Sequence, residues 1–250
     1  MHKKSSDWWK EFFPAWRPAF GKMSRCATNA DVRFMLRKLN LRPGRKFLDC
    51  PCGIGRISLP VAKTGVRVTC VDITQSYLDE LSVKIKKRGL KMNLHNSDMR
   101  RIDFDREFDA AGNLWTSFGY FEKESDNLLV LKKLFKALKP GGRFLLQVIN
   151  RDWIIANFEP TDWYEVGKMR VLEKRGFDYA TSISTSTWTF IDGENETSHD
   201  TAIRMYSYHE LIQMFKKVGF VNIEGYGSPK EEAISLKHRN MYIFGTRPGK

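Results

Sequence analysis

Two carboxylates and two glycines at fixed offsets are the groups of this chain most able to do chemistry. The stretch Phe47-Leu48-Asp49-Cys50-Pro51-Cys52-Gly53-Ile54-Gly55-Arg56 joins an apolar strand, an acid at its end and a turn of small residues opening onto a helix. Gly53 and Gly55 let the backbone turn sharply and approach a ligand without Cβ interference, and a helix start offers unpaired N–H groups. A second apolar strand, Val66 to Val71, follows about one helix later and ends in Asp72, where a parallel nucleotide-binding sheet carries its ribose-binding acid.

The charge on Asp49 selects among nucleotide ligands. A pyrophosphate on this loop would meet a carboxylate where dinucleotide folds offer glycine and bare N–H groups, and Ser58 stands where their third glycine would be. A cationic ligand without phosphate fits better. S-adenosylmethionine (SAM) carries a sulfonium and an ammonium, and its ribose diol can donate hydrogen bonds to Asp72.

The segment resembles the first motif of the class I SAM-dependent methyltransferases, an apolar strand followed by an acid and a Gly-x-Gly loop. Pro51 replaces that loop's usual first glycine, which stiffens it and leaves the cofactor unchanged. The resemblance runs from about Phe47 to Thr246. It implies a Rossmann-like, doubly wound, seven-stranded α/β sheet. The cofactor-binding set it implies is Asp49, Cys52, Gly53, Gly55, Asp72, Ile73, Asp98, Met99 and Asn113. Asp98 would accept from the adenine amine while the Met99 backbone reads the ring edge; a turn or helix cap is the other reading of Asp98. Asn113 to Phe121 looks like the loop carrying cofactor and substrate contacts, with Trp115, Phe118 and Tyr120 facing substrate and core packing the alternative for at least one aromatic.

Those residues need an alternating scaffold, and the patterning supplies one. Apolar spacing and turn residues predict helices at 31–40, about 55–64, about 74–88, 125–138 and 211–218. Strands are predicted at 47–50, 66–71, 92–95, 108–114, 143–149, 221–226 and 240–245, with Pro140-Gly141-Gly142 turning into the fifth. The expected organisation is an N-terminal helical lid (1–30), a cofactor-binding core (31–150), a substrate-covering antiparallel β insertion (151–205) and a C-terminal completion of the sheet (206–250).

The lid is read from Asp7 to Phe20, where Trp9, Phe12, Phe13 and Trp16 share a helix face and Asp7 can cap its start. Trp9, Phe13 and Trp16 are the candidate substrate contacts there, and plain docking on the sheet is the alternative. Membrane-surface binding is a third reading, from Lys3, Lys4 and Lys10. Thr181 to Phe190, Asp192-Gly193 and Thr201 to Tyr206 read as a hairpin or small antiparallel sheet that roofs the pocket. It adds Trp163 and Arg204 as substrate contacts, with Asp152, Tyr164 and His199 in reserve. No triad or paired-carboxylate spacing marks a catalyst, and Tyr120, Arg151, Tyr206 and His209 stand as candidates.

Composition bounds these readings. With 42% hydrophobic and 28% charged residues in 250, the chain is that of an ordinary globular protein. No apolar run approaches a membrane span and no leader pattern is seen, so a cytoplasmic home is expected. Cys26, Cys50, Cys52 and Cys70 lack a ligand framework or a nearby His, and no metal is expected. The net charge of +13 invites nucleic acid, but its lysines fall on solvated helix faces. The expected activity is in-line methyl transfer to a nitrogen or oxygen of a small molecule. Asn113-Leu114-Trp115-Thr116 departs from the Asn/Asp-Pro-Pro-aromatic motif of adenine-amine and glutamine-amide enzymes, which disfavours those acceptors. An RNA methyltransferase, a nicotinamide dehydrogenase and a non-catalytic SAM-binding scaffold are the rivals.

Overall fold

The computed structural model of the chain describes residues 7–17 and 25–249. Lys3, Lys4, the Pro18 to Phe20 end of the expected lid and the Cys26 side chain lie outside the described residues. The elements begin with α1 (Trp9–Trp16), α2 (Arg25–Lys38), β1 (Lys46–Asp49), α3 (Ser58–Ala62), β2 (Arg67–Asp72), α4 (Gln75–Lys87) and β3 (Met92–Asn96). They continue with β4 (Phe108–Asn113), α5 (Glu124–Ala137), β5 (Leu138–Ile149), α6 (Arg151–Ala156), β6 (Thr161–Val166) and β7 (Met169–Asp178). Last come β8 (Ile183–Asp192), β9 (Asn195–Arg204), α7 (Tyr208–Val218), β10 (Val221–Tyr226) and β11 (Asn240–Thr246).

Seven strands form one sheet in the order β10-β11-β5-β4-β1-β2-β3. β1 to β5 are parallel, and β11 runs antiparallel to both β5 and β10. Phe47, Leu48, Cys70, Ala110, Ala111 and Leu145 are fully buried, because a parallel sheet covered on both faces needs near-continuous apolar strands. Leu78, Leu81 and Ile85 of α4 pack on one side with α2 and α3, and Val130, Leu131 and Leu134 of α5 pack on the other with α7. The order reverses between β1 and β4, so their carboxyl ends open a crevice. Asp49, Asp72 and Asn113 end β1, β2 and β4 at that edge.

The structure departs from the sequence reading in four places. The helix expected from 55 begins at Ser58, since Gly53 and Gly55 hold φ of +54° and +78°, which no right-handed helix accepts. β5 starts at Leu138 and takes in Pro140-Gly141-Gly142, because Gly141 donates to Arg247 and Gly142 accepts from it. α6 is additional, capped by the Asn150 side chain accepting from the Asp152 N–H. The insertion is a four-stranded sheet, β6-β7-β8-β9, in which a hairpin closed by Gly167 and Lys168 precedes the expected one.

α1 lies between this second sheet and the main one. Phe12 packs 5.5 Å from Trp188, Trp16 packs 6.4 Å from the same ring, and the Trp16 indole donates to the Tyr164 hydroxyl at 3.3 Å. Trp8 occupies its N-cap without a side-chain cap, and Asp7, one residue earlier, takes the Lys10 ammonium at 2.5 Å. Two ties bind α1 to α4. Arg17 grips both Glu80 oxygens at 2.6 Å, and the Tyr77 hydroxyl donates to the Phe13 carbonyl. No helix among the described residues is long and apolar enough to cross a membrane.

Candidate active site

A cleft of about 1060 Å³, counted to its open mouth, lies over the carboxyl ends of β1, β2 and β4 and is bounded by α1. Its floor is the turn after β1. Gly53 donates its N–H to Asp72 at 2.8 Å, and Thr74 donates to the other oxygen of the same carboxylate at 2.8 Å. Asp72 thus fixes two backbone turns and still presents lone pairs to the cleft. No atom lies within 4 Å of where a Cβ on Gly53 would sit, whereas one on Gly55 would stand 2.3 Å from the Leu81 Cδ1. The two glycines have different reasons: Gly53 keeps cleft space open, and Gly55 lets the loop press against α4.

Asp49 is 2% exposed and accepts a hydrogen bond from the Ser58 hydroxyl. Burial pushes its carboxyl up to about 7, Asp72 adds to the rise, and Ser58 and Arg56 oppose it. Burial also raises Asp72, against the Thr74 and Gly53 N–H groups. Burial works to raise Asp98 too, but Arg100 outweighs it and holds the group below the ordinary carboxylate range. Arg100 donates to Asp98 from its backbone at 2.8 Å and its guanidinium at 2.6 Å, so the cap reading of Asp98 holds alongside its place in the cleft wall. The same guanidinium reaches Asp126 at 3.1 Å and covers the Phe121 ring at 4.1 Å.

Seven of the nine residues expected around a cofactor line this cleft: Asp49, Cys52, Gly53, Asp72, Ile73, Asp98 and Met99. Gly55 does not. Nor does Asn113, which is fully buried and donates to the Ser117 carbonyl at 3.3 Å while its Oδ1 is buried without a hydrogen-bond partner. Of the expected substrate contacts, Trp9, Phe13, Trp16, Trp115 and Tyr120 line the cleft.

Among the described residues, none of those lining the cleft belongs to the insertion, 151–205. Trp163 is 64% exposed on the second sheet, since β6 is an edge strand and its alternate residues face outward. Arg204 is drawn away by an ion pair with Glu210. Phe118 is core, with its ring 5.2 Å from Tyr206. Three catalyst candidates also lie elsewhere. Arg151 pairs with Asp152 at 2.8 Å, Tyr206 donates to Glu124 at 2.9 Å, and His209 is exposed on α7. Tyr120 is in the cleft, where burial raises its phenol further above neutrality.

Sequence reasoning gave no role to the Arg56 and Tyr77 side chains and reached Ser117 only as part of the Asn113–Phe121 loop; all three line the cleft. The Tyr77 signal was available, one turn into the helix that follows Asp72. Arg56 needed the fold. Trp115 and Thr116 both adopt left-handed backbone, φ +62° and +57°, at a cost of about 1–2 kcal/mol each, and Trp115 comes to rest with its ring 3.1 Å from the Arg56 guanidinium. Cys50, Cys52 and Cys70 are free and buried, and among the described residues no group of His, Cys, Asp or Glu is arranged to hold a metal ion.

Comparison with known proteins gives the same architecture. Residues 47–142 match the methyltransferase domain family. The Bacillus subtilis protein YqeM is 34% identical over 104 residues, 41% of this chain and 42% of that one, so the match spans under half of its length. The ubiquinone biosynthesis O-methyltransferase of Coxiella burnetii is 27% identical over 66% of this chain and 80% of its own. Among solved structures, a SAM-dependent methyltransferase from Clostridium acetobutylicum superposes with a TM-score of 0.80 at 18% identity, over 96% of this chain and 99% of the other. SAM-bound CalS10, an amino pentose methyltransferase from Micromonospora echinaspora, superposes at 0.67 and 18% identity over 99% and 100%. Residues 47–142 thus match a methyltransferase domain, and the chain as a whole has the fold of solved SAM-dependent methyltransferases.

Proposed function

We propose that this protein methylates a nitrogen or oxygen of a small molecule, using SAM. One observation carries the reading: the carboxylates expected at the cofactor and the aromatic side chains of α1 line a single cleft. In this reading Asp72 accepts from the ribose hydroxyls, Asp98 and Met99 meet the adenine, and Asp49 and the Gly53 turn face the cationic methionine end. The residues fit such a ligand, because the space beside Gly53 is open and the three carboxylates attract a cation and repel a phosphate.

SAM supplies, when bound, a methyl group already activated by its positive charge. The chain's own residues bind, align and exclude water, which can account for most of the rate in an in-line displacement. Trp9, Phe13 and Trp16 form the acceptor wall together with Tyr120 of the loop after β4, which packs against Trp9 and Phe13. An O-methyltransferase of ubiquinone biosynthesis and an amino pentose methyltransferase are among the proteins the chain resembles, which favours a small acceptor.

Nucleic acid is the second reading, from the charge of +13. Lys84, Lys86 and Lys87 belong to the last turn of α4, where they complement the helix dipole, and Arg56 is the one cationic side chain among the described lining residues. Incubating the protein with radiolabelled SAM, total RNA and a fractionated metabolite extract tests the proposal. Label is expected in metabolite fractions. Label confined to RNA and surviving moderate salt overturns it, and SAM binding without label in either fraction would indicate a non-catalytic binding protein.

The glycine roles give a second test. Gly53→Ala is expected to weaken SAM binding at least tenfold with a loss of stability of about 1 kcal/mol, the strain of its positive φ. Gly55→Ala adds the Leu81 clash and should lower the melting temperature far more. Thermal unfolding with and without SAM reads both. Equal melting temperatures for the two variants would contradict the division.

A further inference from the structure

Resting on the proposed function, we infer that the acceptor is a flat, uncharged aromatic ring system methylated on a nitrogen whose lone pair is free at neutral pH. Two independent features of the cleft lead there, the shape of its outer wall and the sign of its field.

The wall is a stack of rings. Tyr120 lies 6.4 Å from Trp9 with the planes 19° apart, and 5.8 Å from Phe13. Trp9 meets Phe121 edge to face at 5.1 Å, and Phe12 backs the wall by stacking 5.9 Å from Trp16. Trp9, Phe13, Trp16, Tyr120 and Phe121 all line the cleft. A surface of this kind selects for flat apolar area, and its ring faces carry partial negative charge.

The field separates nitrogen from oxygen. When a neutral nitrogen attacks, its lone pair forms the N–C bond to the methyl carbon while the electrons of the C–S bond stay on sulfur. The positive charge moves from sulfur to nitrogen, and any proton on that nitrogen leaves afterwards to water. Aromatic faces favour the charge in its new position. Methylating a hydroxyl requires first making or binding an oxyanion, and this cleft opposes one. Its charged lining is Asp49, Asp72 and Asp98 against Arg56, and Arg56 is engaged over Trp115 and 3.6 Å from Asp31. Nor do the described lining residues leave a base over to make the oxyanion. No histidine is among them, the Tyr77 and Tyr120 phenols are kept protonated by burial, Asp98 is held by Arg100, and Asp49 and Asp72, engaged with Ser58 and with the Gly53 and Thr74 N–H groups, face the cofactor in the proposed assignment.

Three molecules of nearly the same outline test the inference: quinoline, 1-naphthol and 1-naphthoate. Calorimetric titration into the protein loaded with S-adenosylhomocysteine should give quinoline binding about tenfold tighter than naphthoate. The preference should fall in Trp16→Ala, with circular dichroism and melting temperature checking its fold; the wild-type ranking stands without that variant. Equal or tighter naphthoate binding, failure of all three to bind, or radiolabel from SAM on naphthol with none on quinoline overturns the inference. A separate titration with SAM alone distinguishes the two levels. No SAM binding sinks the proposed function itself, whereas SAM binding without preference for the neutral ring sinks only the nitrogen assignment.

Discussion

Asp72→Ala should weaken SAM binding by about two orders of magnitude, roughly 3 kcal/mol, the worth of two hydrogen bonds to a charged acceptor. The loss has two parts. The ribose diol loses its acceptor, and the Gly53 and Thr74 N–H groups, both held at 2.8 Å, lose the group that fixes their turns. Asp72→Asn separates them, since the amide keeps one acceptor oxygen for the backbone and should recover part of the binding. Calorimetry on both variants reads the difference. Binding of the Ala variant within threefold of wild type would remove Asp72 from the cofactor site.

Phe13→Ala should lower kcat/KM for the true acceptor about thirtyfold, from the loss of roughly 2 kcal/mol of apolar contact, while SAM affinity moves less than threefold. Phe13 is a clean probe of the wall. Its ring lines the cleft, but the tie to α4 uses its backbone carbonyl, which the substitution leaves in place. Removing all of α1 would be harder to read, because Trp9 and Phe12 belong to the main apolar cluster and their loss would strip the core. An unchanged kcat/KM in Phe13→Ala would leave these rings as ordinary packing.

What could be read from the sequence follows from what is local. β1, β2 and β4 are buried on both faces, so they appear as apolar runs, and Asp49 and Asp72, which end the first two, stand out by contrast. Asp98, two residues past the half-exposed β3, could be assigned to the same edge only from the order of the motifs. The hairpin of β6 and β7 escaped notice because charged residues such as Glu165, Arg170 and Lys174 interrupt it and most of β6 faces solvent. Contacts between distant segments were also out of reach. Gly55 depends on Leu81, Arg56 on the strained turn at Trp115, and Trp163 and Arg204 on which way the second sheet faces. The contact of the insertion with α1 through Trp188 and Tyr164 is of this kind.

The buried carboxyl of Asp49 bears on product inhibition. With its ionisation pushed up to about 7, the free protein carries this proton during part of its time near neutrality. Because the folded state holds the proton more tightly than the unfolded chain, Asp49 disfavours folding progressively as pH rises from about 4 to 7. A cation arriving beside it displaces the proton and relieves that penalty. Methyl transfer then erases the sulfonium while the ammonium remains, so part of the attraction disappears at the moment of reaction. Under the proposed assignment, Asp49 lets the protein hold the methylated cofactor more firmly than the spent one, and more so on the alkaline side of neutrality, where the carboxylate is already charged.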